Sequence, residues 1–189
     1  MLMTGAGRVL AAAAIMLLAG CAGTSQEWAK PGAARAARLA VLPFDNQTPA
    51  LRAGSVASDL VVSELLATGA VPVMEPGEVV DLLRRENIDV TDAARLPSAQ
   101  RIGRLLGASH VLQGSVTEYR YKPGLSEIPV VGITARVVEV ASGEVVWTAT
   151  HSRVGWSWFV EDGLARLAQS VARDMAAHLS GALGQARAR

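Results

Sequence analysis

Cysteine is almost missing from this chain of 189 residues: Cys21 stands alone. A single thiol closes no internal disulfide, so the fold depends on its apolar core. Histidine is scarce too. His110, His151 and His178 have no second histidine, cysteine or carboxylate at ligand spacing, which leaves no metal motif. Neither sign of charge dominates, with 18 Lys and Arg against 17 Asp and Glu. That balance excludes the basic footprint of a nucleic-acid binder and a polybasic patch for anionic lipid. No stretch reaches the ~18 uninterrupted apolar residues of a membrane-spanning helix. Phosphate-binding glycine loops, dinucleotide fingerprints and internal repeats are missing as well. Ser109 and His110 are adjacent but lack a nucleophile-elbow pattern. Asp45 sits in the turn cluster Asp45-Asn46-Gln47-Thr48-Pro49, where carboxylates usually serve turn chemistry. The chain therefore reads as non-enzymatic, with no catalytic residue, cofactor or metal.

What is present begins with Leu18-Ala19-Gly20-Cys21. These residues close an apolar run that starts near Val9, behind the single charge of Arg8. The pattern resembles the bacterial lipobox, which implies cleavage before Cys21 and acylation of that cysteine. Two or more acyl chains, at ~0.8 kcal/mol per buried methylene, make a stable anchor. Residues 1–20 are then a signal peptide. Residues 21–37, rich in alanine and glycine around Pro31-Gly32, read as an acylated cysteine with a flexible tether. Residues 38–181 read as one domain and 182–189 as a disordered tail. Ala22 follows the cysteine where an aspartate would signal inner-membrane retention, so the expected location is the periplasmic face of the outer membrane.

Within the domain, Leu39 to Phe44 is a short apolar run that reads as a strand buried on both faces, with Pro43 near its end marking where the ladder stops or an edge position. Ala53 to Ala67 is a helix stopped by Gly69. It is apolar around most of its circumference, with Arg52, Asp59 and Ser63 on one narrow side, so it is either buried or covered by a second surface. Val71 to Glu75 reads as a second strand. Pro76-Gly77 opens a helix to about Glu86, with Glu78 early and Arg84 and Arg85 late, as the helix dipole favours. Ser98 caps a third helix that carries Ala99, Ile102, Leu105 and Leu106 and stops at Gly107. The period then changes to two. His110–Tyr121, Val130–Val140 and Val145–Val154 read as a meander of three strands. Glu161 to Leu179 closes the chain as an amphipathic helix lined by Leu164, Leu167, Val171, Met175 and Leu179. The order β-α-β-α-α-β-β-β-α implies an α/β fold, with helices packed on a mixed sheet.

Three stretches carry a resemblance: Val41-Leu42-Pro43-Phe44-Asp45-Asn46, the run from Gly107 to Val116, and Val137 to Trp147. Together with Glu75-Pro76 and Leu82-Leu83 they are similar to the CsgG family of curli-secretion lipoproteins. That family's periplasmic domain is similar to the amino-terminal domain of TolB and to LpoB, the penicillin-binding-protein activator. In the curli channel two long hairpins leave this domain to build a transmembrane barrel. Here Lys122–Pro129 and Gly155–Val160 are too short for spanning hairpins of ~9–11 residues per strand. The resemblance thus implies an accessory of envelope assembly or secretion without its own pore. The alternative is an LpoB-like regulator of a peptidoglycan synthase; a pore-forming subunit is the least favoured. The implied partners are the membrane, an envelope protein and other copies of the chain. Trp156, Trp158 and Phe159 stay open between a lid over the core and an exposed patch for subunit or lipid contact.

Overall fold

The computed structural model describes residues 23–89, 99–123, 127–155 and 163–184. Six strands form one sheet in the order β1-β6-β5-β4-β2, with β3 also pairing β4. They are β1 (Thr24–Ala29), β2 (Leu39–Val41), β3 (Asp45–Asn46), β4 (His110–Lys122), β5 (Ile128–Glu139) and β6 (Val145–Val154). The described helices are α1 (Ala53–Thr68), α2 (Pro76–Arg85), α3 (Ala99–Leu106) and α4 (Leu164–Leu183). The β4-β5-β6 meander is antiparallel, while β2 and β3 run parallel to β4. The mixed α/β architecture is the one expected from the pattern.

Alternation along the strands sorts the core into two layers. Leu112, Val116, Ile133, Ala135, Val137, Trp147 and Ala149 face α1 and α4. Ala40, Leu42, Val111, Val138 and Val140 face α2 and α3 on the other side. The second helix pair packs only over the β2 end of the sheet. The remainder of that face, on β5, β6 and β1, carries Thr134, Arg136, Thr148 and Thr150, and no element among the described residues covers it. Pro43 acts as expected. Leu42 N–H still bonds Leu112 O, the ladder breaks where proline has no donor, and β3 resumes it at Asp45. Gly69 ends α1 in the left-handed region at φ 61°, its N–H reaching Leu65 O and Leu66 O.

Five expectations need correction. Residues 24–29, read as tether, form the edge strand β1, antiparallel to β6 from Thr24↔Ser152 to Ala29↔Trp147. The chain stays ordered to β2: Lys30 N–H bonds Val146 O, Ala36 N–H bonds Leu183 O, and Ala36 is fully buried. Ladder bonds and side-chain contacts need no apolar period, so the composition hid them. Val71–Glu75 is not a strand; Val73 makes one isolated bridge to Leu39. α4 continues to Leu183, itself fully buried, so it takes the first residues of the expected tail. Strict alternation along Val145–Val154 puts Val145 on one face with Trp147 and Ala149, and it does not lie there. A bulge between Val137 and Val138 sends it to the α2–α3 side. Finally, α1 is only half buried. Ala57, Val61, Val62 and Leu65 pack inward, whereas Leu66 is 54% exposed and Val56 and Leu60 are half-buried. Ser98, expected as a cap, lies outside the described residues.

Candidate functional site

Cys21, Trp156, Trp158 and Phe159 lie outside the described residues. Their covalent neighbours, however, share one end of the sheet. β1 starts at Thr24 opposite Ser152, and β6 ends at Val154, with Gly155 N–H bonded to Pro129 O. Gly23, at φ 133°, presses against β6: an added Cβ would sit 2.3 Å from Ser152 O. Only glycine fits this conformation and approach. The first strand is therefore seated up to two residues from Cys21.

A polar network holds β1 on the side facing α4. Glu27 Oε1 lies 2.6 Å from His151 Nε2, and Oε2 lies 3.0 Å from His178 Nε2. His151 is 4% exposed, and its Nε2 faces the carboxylate without a well-formed hydrogen bond. Trp147 Nε1 donates to His178 Nδ1 at 2.9 Å. An indole N–H only donates, so Nδ1 accepts and Nε2 carries the proton toward Glu27. This tautomer argues against a metal. An imidazole protonated at Nε2, whose Nδ1 already accepts a bond, has no lone pair left to ligate. No group of His, Cys, Asp or Glu among the described residues is disposed to hold a metal ion. Below Ala29, Lys30 pairs with Glu144, which holds the lysine's pKa above its ordinary value.

The second histidine site is also architectural. Ser109 Oγ accepts from Ala37 N–H at 3.0 Å and Arg38 N–H at 2.9 Å, and lies 3.0 Å from Arg38 O and from His110 Nδ1. The hydroxyl ties the segment before β2 to the start of β4. His110 is 2% exposed. Burial holds its pKa below the usual histidine value, against a smaller opposing pull from Glu139. It borders a shallow cleft of about 390 Å³ between Arg35, Arg104 and Glu139. Asp45, expected in a turn, instead lies in strand β3 opposite Ser115, because the ladder resumes there after Pro43; Gln47 Nε2 donates to its carboxylate at 3.4 Å. The sequence reading found none of the Glu27–His151–His178–Trp147 network. Its members come from β1, β6 and α4, and the only local signal was the alternation of Ser25, Glu27 and Ala29, which carries no apolar mark.

One further residue is out of keeping with its surroundings. Arg136, on the open face of β5, is half-buried and has no hydrogen-bond or ion-pair partner among the described residues; its Nε is shut off from water. Burial lowers its pKa from the ordinary arginine value. Its neighbours across the sheet are Gln113 on β4 and Thr148 on β6, with Trp28 beyond Thr148 on β1.

A family model described as peptidoglycan-synthase activator LpoB matches residues 22–152. No curated protein matches the chain. Among solved structures, the PelC dodecamer from Paraburkholderia phytofirmans is 31% identical, covers 84% of this chain and 97% of that one, and superposes with a TM-score of 0.60. Lipoprotein GNA1162 from Neisseria meningitidis is 19% identical over 74% of this chain and 97% of that one, with a TM-score of 0.60. The LpoB C-terminal domain from Salmonella enterica is 17% identical over 65% and 86%, with a TM-score of 0.50. The last two show the fold alone. The resemblance to the CsgG family is corrected by the family match. The stretches that suggested it are β2 with β3, the start of β4 and the β5-β6 turn, which are the framework of the sheet and report fold rather than family.

Proposed function

This chain belongs to the LpoB family, and we propose that it is a non-enzymatic, lipid-anchored accessory of the cell envelope that activates a peptidoglycan synthase. The family match over most of the chain carries this reading. The histidine and serine side chains support it by their roles, since each one named above serves packing or strand attachment rather than a reacting centre. The proposed anchor is Cys21, on the periplasmic face of the outer membrane. With β1 seated from Gly23, the link between lipid and domain is at most about 7 Å of chain. The domain then rests against its membrane, and its partner has to be met there. Trp156, Trp158 and Phe159, tied to the same end of the sheet through Gly155, are proposed to rest on that lipid surface or on a neighbouring copy.

A second feature of the reading is self-assembly. It is favoured by the identity to PelC, a dodecamer, over nearly all of that protein's length. Crosslinking the acylated protein in intact membranes and identifying the captured partner tests the function. A peptidoglycan synthase captured by the native chain is expected, and its glycan-polymerising rate should rise when the purified lipoprotein is added. Capture of a different envelope assembly, with no rate effect, refutes synthase activation. Cys21→Ala should abolish lipid labelling and membrane retention. A variant that still sediments with outer membrane after high-salt washing refutes the anchor.

A further inference from the structure

The two outer surfaces of this domain are left incomplete in complementary ways. The back, the open sheet face, is hydroxyl-rich around one central cation, with Asp45 on β3 and the ion pair Glu118–Arg120 on β4 toward its far side. Thr134 and Thr150 bring their hydroxyls to 3.2 Å, Thr148 lies beside them, and Trp28 is 48% exposed at the rim. The cation is Arg136, half-buried and without a partner among the described residues. A guanidinium removed from water without an acceptor is costly, and the lowered pKa records that cost. Arginine's planar fork is suited to a carboxylate.

The front carries the reverse. α1 packs its inner side on the core and presents Ser55, Asp59, Ser63 and Leu66 outward, with Arg52 exposed at its N-cap on the same side and Val56 and Leu60 half-buried beside them. The only acid among the exposed side chains of this face is Asp59. Ser63 Oγ bonds its backbone carbonyl and leaves the carboxylate unengaged. The surface of α1, 16 residues and about 24 Å long, fits along β5 (12 residues) and β6 (10 residues) at ~3.3 Å per residue.

We propose that the open sheet face is the seat of helix α1 from a second copy of this chain, with Asp59 of that copy meeting Arg136. The inference rests on the self-assembly reading above and names its contact. Front against back is a heterologous contact: two different surfaces meet, and each copy keeps one of each free for the next. Such contacts close into rings when the rotation allows. The strands of all copies then run the same way, so every Gly23 end, and with it every anchor, lies on one side of the ring. Trp28 at the rim supplies the large aromatic that interfaces commonly use.

The test uses the full acylated protein in detergent, measured by mass photometry across a concentration series, with melting temperature followed in parallel. Wild type should assemble. Arg136→Glu and Asp59→Arg should each weaken assembly on the order of tenfold or more. The double variant, with both charges exchanged, should recover most of the loss. Arg136→Met should also weaken assembly while leaving the melting temperature of the dissociated chain equal or higher, because it removes an unpaired, desolvated cation. Assemblies unchanged by both single reversals overturn this contact and leave the self-assembly reading standing. Weakening by both without recovery in the double variant overturns the pairing of the two residues. A wild-type protein that stays monomeric at every concentration fails the self-assembly reading itself, and this contact with it.

Discussion

Strands β1 and β5 belong to one sheet, two places apart, and are held by different forces. β5 is buried along most of its length, with Val131, Ile133, Ala135 and Val137 all at 2% exposure or less. β1 exposes every residue but Ala29, which is half-buried. It is kept by its ladder to β6 and by a carboxylate between two histidines. Apolar burial scales with area and spreads over many neighbours. A polar clamp concentrates its contribution in a few atoms and fails when one of them is removed. The strand nearest Cys21 is thus the one whose attachment can be lost without unfolding the domain, the property of low-stability segments in native proteins.

The largest expected effect falls on the residue shared by both systems. Trp147 is 1% exposed in the α4 layer and also donates to His178. Trp147→Ala should cost about 3–5 kcal/mol in chemical denaturation. A loss under ~1 kcal/mol would mean that the helix-covered face does not carry the stability. Next is Glu27→Ala, which leaves the buried His151 ring facing no carboxylate. A loss of about 1–3 kcal/mol is expected, with amide exchange accelerating in residues 24–29 and not in β5. Equal acceleration in both strands would erase the distinction drawn here.

A smaller, pH-limited effect is expected at His110. Its folded pKa is depressed by burial, so the neutral ring is the stable form. As pH falls below the usual histidine value of 6.5, the unfolded chain takes up the proton first. The stability contribution is therefore complete above that pH and is lost as pH falls toward the folded value. Urea midpoints measured from pH 8 downward should decline in this window for the native chain and less for His110→Asn. Parallel declines would assign the acid sensitivity to other groups. The smallest change is Leu66→Ser, at a position 54% exposed on α1. It should leave monomer stability within ~0.5 kcal/mol, in contrast to the buried Leu65 beside it.

Local chemistry was enough for much of this protein. The period-two runs after Gly107 read out the meander, and β6 has the expected bounds, Val145–Val154. The 3.6-residue stripes located α1, α2 and α4. Pro43, Gly69 and the dipole-matched charges of α2 acted where they stood, because turn, cap and dipole effects operate within a few residues. The family was less legible, since framework strands look alike across related folds.

What the tertiary structure decided lies where distant segments meet. TSQEWA has no apolar period and became a strand only because β6 offered it an edge and His151 and His178 offered Glu27 partners. The outer side of α1 became exposed because α4 covers the inner side and, among the described residues, no other element covers the outer one. A bulge at Val138 reassigned Val145, and a row of threonines on the open face left Arg136 without an acid among the described residues. Periodicity along the chain reports which side a residue takes relative to its neighbours. Whether that side meets core, solvent, a carboxylate or another surface depends on residues a hundred or more positions away, brought close only by the completed sheet.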